Sequence, residues 1–346
     1  MVLFGICYVL WDISFGVDDI AYWSLLPALS THQAQREKLG AFARICANIG
    51  MYIIVVGVIP ITGAIGEAVG SEQKAWFILA IAVCVMMLAT QLITLVGVQE
   101  DRSHYKDEER TTLRDFVRVI FGNDQLLWTT ISMILFMVGY STTTSFGTYF
   151  FIYAYGDEDM YSIFAVVLGV SQLTALLLFP KFAAKFSRKK LYSIATVLVV
   201  VGYIVFFFAP MHMLPIGVAG VLLFIGQAFI QTLMLMFLAD TIEYGQWKLG
   251  RRNESITFSV QPLINKLGSA IATGVVTVTL IISGINQAAD ASQVTAQGLL
   301  IMKMAMMIFP LIAIVIGYVI YLKKYKIDAK LYGEIIADLT ARGDLK

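Results

Sequence analysis

Residues 297–322 read QGLLIMKMAMMIFPLIAIVIGYVIYL, a run of 26 residues with one charge, Lys303. A bilayer core of ~30 Å needs ~20 apolar residues at ~1.5 Å rise each, so this run is long enough to cross a membrane as a helix. Eight further stretches pass the same test: about 4–29, 41–66, 75–97, 126–153, 161–184, 190–209, 214–239 and 255–283. The pattern predicts an all-α integral membrane protein with nine transmembrane helices. Composition agrees. Hydrophobic residues are 58% of the 346-residue chain and charged residues 14%, against about 45–50% and roughly 25% in soluble domains. Mean hydropathy is +0.77.

The positive charges give the spans an orientation. The stretches 30–40, 98–125, 185–190, 240–254 and 323–346 hold 20 Lys and Arg, and the intervening stretches hold Lys74 alone. Basic loops face the cytoplasm. The C-terminus is therefore expected inside the cell, and nine spans then put the N-terminus outside. No basic residue precedes the first apolar run, so no cleavable signal is visible. Within 98–125, Thr111 to Phe121 reads as an amphipathic helix with Leu113, Phe116, Val117 and Ile120 on one face. A net charge of +1 offers nothing to nucleic acid. Cys7, Cys46 and Cys84 lie in apolar runs without metal spacing, and His32, His104 and His212 are scattered. Without a Ser/His/Asp set, a metal cluster or a Gly-rich phosphate loop, an enzyme is not expected, nor is a cofactor.

Ionisable groups deep in a bilayer cost at least ~2.5–3.5 kcal/mol on insertion scales, so each calls for a role. The first span holds Asp12, Asp18 and Asp19 in WDISFGVDDIAYWSLLP. Asp12 and Asp19 share a helix face, and Trp23 follows Asp19 by one turn. A carboxylate accepts from several sugar hydroxyls while an indole covers a pyranose face, so Asp19, Trp23 and Asp18 are candidate sugar ligands. Structural ion pairing and an interfacial Trp are the plainer alternative. Arg44, near the cytoplasmic side of the second span, can pair with one of these Asp residues or snorkel to the headgroups. Lys266, in the eighth span, lies ~18 Å deep and Asp19 ~15 Å deep, by helical rise. Both are near the midplane, where transporters hold substrate. Lys266 there is read as a cation-coupling group or a structural ion pair, and Lys303 as a snorkelling one. Gln261, Gln227 and Gln231 are candidate polar liners or helix–helix glue. The stretch LADTIEYGQWKLGRRNES places Asp240, Glu243, Lys248, Arg251, Arg252 and Glu254 in one loop. Its mixed signs suggest a latch of ion pairs closing the cytoplasmic mouth.

Two stretches carry a resemblance. LADTIEYGQWKLGRRNESITFSVQPLINKLGSAIA (238–272), and DDIAYWSLLPALS (18–30) followed by REKLGAFAR (36–44), resemble the glycoside–pentoside–hexuronide:cation symporter family of the major facilitator superfamily. The resemblance runs over essentially the whole chain. It implies a major facilitator-type helix bundle whose nine spans match helices four to twelve of twelve. It implies sugar-binding positions at Asp19 and Trp23, with Arg44 their partner arginine, and a sugar-lining Gln261. Lys266 falls on a lysine linked to the cation site. Arg36, Asp240, Glu243 and Arg252 fall on cytoplasmic gate positions. The implied parts are 1–97, the last three helices of an N-terminal half; 98–125, a cytoplasmic linker; 126–322, a six-helix C-terminal half; and 323–346, a cytoplasmic tail.

The implied function is symport of a glycoside, pentoside or hexuronide with Na+ or H+ across the cell membrane by alternating access. The partners are then a sugar and the lipid bilayer. The family's helix-one and helix-two carboxylates have no counterpart here. The chain is thus expected to be N-terminally truncated, and unable to perform coupled transport alone; a genuine nine-span protein is the alternative. A non-transporting remnant or a sugar sensor is the competing function. Gly16, Gln231 and Pro262 stand where a family member carries a hydroxyl, a tryptophan and a hydroxyl. That departure points away from an α-galactoside, toward a xyloside, another plant oligosaccharide or a glucuronide.

Overall fold

The computed structural model describes residues 2–29, 33–98, 113–250, 254–288 and 291–343. Among them the regular structure is entirely helical, in two compact units, 1–110 and 111–346. Seven helices are long and apolar enough to span a membrane, or eight with a bent pair counted as one. A further helix, with Asp12, Asp18 and Asp19, occupies the first predicted span. Each of the nine expected spans therefore falls on a helix.

The first unit holds α1 (Val2–Leu29), α2 (Gln33–Val69) and α3 (Glu72–Gly97). The bent pair is α2, whose segments Cys46–Ile54 and Val56–Val69 meet at 42°. Pro60 explains the bend: it has no N–H for the carbonyl of Val56, and its ring crowds that carbonyl. Gly70, at φ +70°, ends α2 in the left-handed conformation that glycine adopts freely. The Ser71 hydroxyl then caps α3 by accepting from the Lys74 N–H.

The second unit begins with α4 (Leu113–Gly122), the expected amphipathic helix. Its buried face is carried by Val119 and Ile120, with Phe116 beside them, while Val117 is 48% exposed. Phe116 and Ile120 thus lie on the expected face, and Val119 takes the place expected of Val117. Then follow α5 (Asp124–Tyr149, extended by a π-helical turn Phe150–Tyr155), α6 (Asp159–Lys185), α7 (Arg188–Phe208), α8 (Met213–Leu249) and α9 (Glu254–Ile282). The last span is α10 (Ala296–Lys303), a π-helical turn (Met304–Ile308) and α11 (Phe309–Lys324). A final helix, α12, covers Ala329–Ala341.

Close packing uses glycine where two backbones approach. A Cβ at Gly226 of α8 would lie 2.7 Å from the Ala195 carbonyl of α7, and one at Gly317 of α11 2.7 Å from the Ser132 carbonyl of α5. Small residues give membrane helices this approach, because lipid supplies no hydrophobic drive between them. The outer core is aromatic: Phe150, Phe151, Phe164, Phe206 and Phe224 meet with ring centroids 5.3–5.7 Å apart.

Candidate functional site

In the first unit, α1 carries Asp12, Asp18, Asp19 and Trp23, and α2 carries Arg36 and Arg44. Asp18 is exposed and accepts from Gln91 Nε2 of α3 at 2.6 Å, a cross-link between spans one and three. The side chains of Asp19, Trp23, Arg36 and Arg44 lie outside the described residues, as does Arg252.

In the second unit, α9 is seated on α5 at Gly268, where a Cβ would stand 2.6 Å from Met137 Cβ. With Gly268 inward, Lys266 is exposed and Gln261 half-buried. Ser269, Thr273 and Thr277 continue from Lys266 at helical spacing and are exposed too. Ser269 lies 3.4 Å from Ser141 of α5. The Thr273 and Thr277 hydroxyls donate to the carbonyls of Ser269 and Thr273 at 2.9 and 2.8 Å. Their protons are committed to the helix, and their lone pairs remain as acceptors. A second exposed line on α9 is apolar: Leu267, Ile271, Val278 and Ile281. The helix thus has one polar and one apolar outward stripe.

Gln227, a candidate liner, is fully buried. Its amide reaches the Tyr203 hydroxyl at 3.5 Å, and that hydroxyl meets Thr143 Oγ1 at 2.6 Å. It ties α8 to α7, and its Oε1 is buried without a hydrogen-bond partner among the described residues. Gln231 is half-buried.

The basic end of this unit holds the charged latch, with other partners than the loop suggested. α8 does not stop near residue 239 but continues to Leu249. Asp240, Glu243 and Lys248 are therefore helical, and the side chains of Asp240 and Lys248 reach neighbouring helices. Asp240, 7% exposed, pairs with Arg188 at the start of α7 and accepts from the Tyr325 hydroxyl at 3.3 Å. Lys248 pairs with Asp124 at the start of α5, which also accepts from Tyr244 at 2.9 Å. Glu243 is half-buried. Burial first, and then the Asp240 charge, push the Tyr325 hydroxyl far above its ordinary pKa, so it stays a neutral donor.

Neutral bonds close the same end. Asn123 caps α5 with Oδ1 and donates from Nδ2 to the Thr241 carbonyl at 2.8 Å. Gln125 Oε1 accepts from the Lys326 N–H at 2.7 Å. α12 docks here through Ile335 and Leu339, both fully buried, and Trp247 Nε1 donates to Asp338 at 2.7 Å. Arg188, Asp124 and α12 were missed from the sequence. A signal for Arg188 existed: no carboxylate occurs from Met160 to Ala239, so Asp240 is the first acid after five cations.

A stack of apolar helices, a polar stripe with a mid-span lysine, and an ion-paired end mark a multi-span membrane protein. The chain belongs to the family described as MFS/sugar transport protein, which it matches over residues 1–329. It is 33% identical over 344 residues to the raffinose carrier protein of Pediococcus pentosaceus, covering 98% of this chain and 54% of that protein. It is 32% identical over 343 residues to a lactose permease of Lactobacillus delbrueckii subsp. bulgaricus, covering 98% and 55%. At 24% over 336 residues it is similar to the isoprimeverose transporter of Lactiplantibacillus pentosus, covering 96% and 69%. The chain spans about half the length of the first two relatives. The resemblance to glycoside–pentoside–hexuronide:cation symporters is borne out, and the family and relatives are carriers and permeases, not enzymes.

Proposed function

We infer that this chain moves a sugar across the cell membrane by cation-coupled symport, with the polar stripe of α9 on the substrate path. The observation that carries this is the exposed mid-span row Lys266–Ser269–Thr273–Thr277 beside an apolar row on the same helix. A lysine facing hydrocarbon at that depth costs at least ~2.5–3.5 kcal/mol, so its face meets water or an opposite charge. The apolar row suits acyl chains. Asp19, Trp23, Arg44, Asp18 and Gln261 are proposed as the sugar ligands and Lys266 as the group that links sugar to the cation, Na+ or H+. Asp240, with Arg188 as its partner, Glu243 and Arg252 are proposed as gate residues at the basic end of the second unit, read as its cytoplasmic end, and Arg36 as a gate residue of the first unit.

For the sugar, the departures at Gly16, Gln231 and Pro262 argue against an α-galactoside. The two more similar relatives, a raffinose carrier and a lactose permease, argue for a galactosyl end, and sequence likeness over the whole chain outweighs three positions. We therefore put a two- or three-unit galactoside first and a xyloside second.

The test is uptake of labelled raffinose, lactose and isoprimeverose by cells expressing the chain, with and without collapse of the Na+ and H+ gradients. Gradient-dependent accumulation of one sugar is expected, against the expectation above that the chain cannot perform coupled transport alone, because each of the nine expected spans falls on a helix and the family match runs over residues 1–329. Exchange of labelled sugar that no gradient concentrates would remove the coupling. Binding with no exchange would favour a sensor. Lys266→Ala is expected to impair gradient-driven accumulation more than exchange, and equal loss of both would leave Lys266 a structural role.

A further inference from the structure

From Met160 to Ala239 the chain has 80 residues and no carboxylate, yet it holds five cations, Lys181, Lys185, Arg188, Lys189 and Lys190. All five fall within ten residues, at the turn where α6 ends and α7 begins. Over the whole chain Lys and Arg number 25 and Asp and Glu 24, so this imbalance is local.

The structure shows which cations are balanced. Arg188 reaches Asp240, Lys248 reaches Asp124, and Lys324 lies over the Trp128 ring at 4.9 Å. Lys181, Lys185, Lys189 and Lys190 are exposed and form no ion pair with a described residue. Two of them gather at one point: the Lys185 and Lys190 ammoniums lie 5.8 and 5.3 Å from the centre of the Phe186 ring. Bringing two like charges to one ring is unfavourable without a counter-ion, and cation–π attraction offsets little of it at an exposed site.

At the start of α7 the backbone adds to the same field, while the end of α6, whose last turn holds Lys185, opposes it. Ser187 caps α7 by accepting from the Lys190 N–H, which leaves the N–H groups of Arg188 and Lys189 outside the helical ladder. Cations are disfavoured at this positive helix end. A first turn of Arg, Lys, Lys is therefore a poor choice for stability and a good one for holding an anion.

Location decides which anion. The turn sits where two spans end, at headgroup height, and phosphodiesters are the densest anions there. Below it, both helices turn apolar side chains outward: Leu177 is 75% exposed and Val197 59%, with Phe182 also outward and stacked on Phe186. An amphiphile with a phosphate head and acyl tails matches both levels. We propose that the α6–α7 turn binds the phosphate headgroup of an anionic phospholipid, held by Lys185 and Lys190 at Phe186 with the exposed Lys181 and Lys189 of the same turn.

The purified chain, loaded with phosphatidylglycerol or phosphatidylcholine of identical tails, tests this by native mass spectrometry of retained lipid. Phosphatidylglycerol is expected to be held preferentially. Each of K181Q/K185Q and K189Q/K190Q is expected to weaken that retention about 25-fold, from about fivefold per lysine near an anionic surface. The control K323Q/K330Q removes two lysines at the same end of the unit and is expected to change retention less than about twofold. Should a double variant fail to insert, Lys185→Gln and Lys190→Gln singly give the same reading at about fivefold each. An equal fall in the control would mean diffuse surface charge and overturn the site. So would equal retention of the two lipids by the wild type. Displacement of phosphatidylglycerol by excess inorganic phosphate would assign the site to a soluble anion instead.

Discussion

Asp240 concentrates the chemistry of the basic end in one carboxylate. It is 7% exposed and serves both Arg188 and Tyr325, whereas the Arg188 side chain is 48% exposed. An ion pair buried on one side and wet on the other is intermediate in strength. Breaking a fully buried pair costs 3–5 kcal/mol and an exposed one ~0–1, so about 1–2 is expected here. In the proposed gate, such a bond would hold the end shut and still let it open. Asp240→Asn keeps the shape and the Tyr325 hydrogen bond but leaves Arg188 without its counter-charge. The expected result is a loss of about 1–2 kcal/mol in denaturant unfolding in micelles. Coupling of similar size should appear in the Asp240→Asn, Arg188→Gln double-mutant cycle. Strictly additive losses would show that the two side chains touch without holding anything.

Helices in this chain meet through glycines, and the glycines are not equivalent. Gly317→Ala places a methyl 2.7 Å from the Ser132 carbonyl, so α11 must move off α5. Overpacking of this kind costs about 1–3 kcal/mol. Gly217→Ala in α8 meets nothing within 4 Å. It should be neutral or gain about 0.5–1 kcal/mol, because alanine loses less backbone freedom in a helix. Thermal unfolding of the two variants side by side checks the contrast, and equal destabilisation would refute the packing argument. α12 is a separate case, since its hold rests on Ile335, Leu339 and the Trp247–Asp338 bond. Leu339→Asp buries an unpaired charge there and should free the helix. Limited proteolysis after Lys326 or Lys330 should then speed up while the spans stay intact, and unchanged cleavage would mean that α12 is held by other contacts.

These elements also show what the sequence could and could not disclose. Every span was legible, because a run of about twenty apolar residues has few other uses. The end of α8 was not: the charged residues 240–249 look like a loop, and helical continuation depends on partners at Asp124 and Arg188 that are distant in sequence. Val119 in place of Val117 on the buried face of α4 was missed because the two are equally apolar, and only the surface beneath α4 chooses between them. At the candidate site, Lys266 was legible by its depth alone. The burial of Gln227 was not, since an amide inside a span can line water or join helices, and here the Tyr203 hydroxyl settled which.

At the largest scale, geometry and charge speak to one question, the orientation of the chain. Arg188, Asp240 and Tyr325 form one bonded group in the second unit, and Lys248, Asp124 and Tyr244 another, both on the last turns of α8. The α6–α7 turn, the end of α8, the end of α11 and the start of α5 therefore lie at the same end, as an alternating path of spans requires. The segments of 20 Lys and Arg assigned to one side include all of these. Basic segments stay in the cytoplasm, so that end should face inward. The opposite end carries the turns at Asp157 and Gln287, which lie between spans and hold no Lys or Arg nearby. With Cys7, Cys46 and Cys84 replaced by alanine, single cysteines at Lys189, Lys248, Asp157 and Gln287 report the sides. In intact cells, a membrane-impermeant maleimide should label Asp157→Cys and Gln287→Cys and leave Lys189→Cys and Lys248→Cys unmodified until the membrane is opened. The reverse pattern would invert the chain and place the Arg188–Asp240 latch outside. Labelling of Lys248→Cys and Gln287→Cys alike from outside would break the span count, because α9 between them, Glu254–Ile282, is a single continuous helix and cannot return to the side from which it starts.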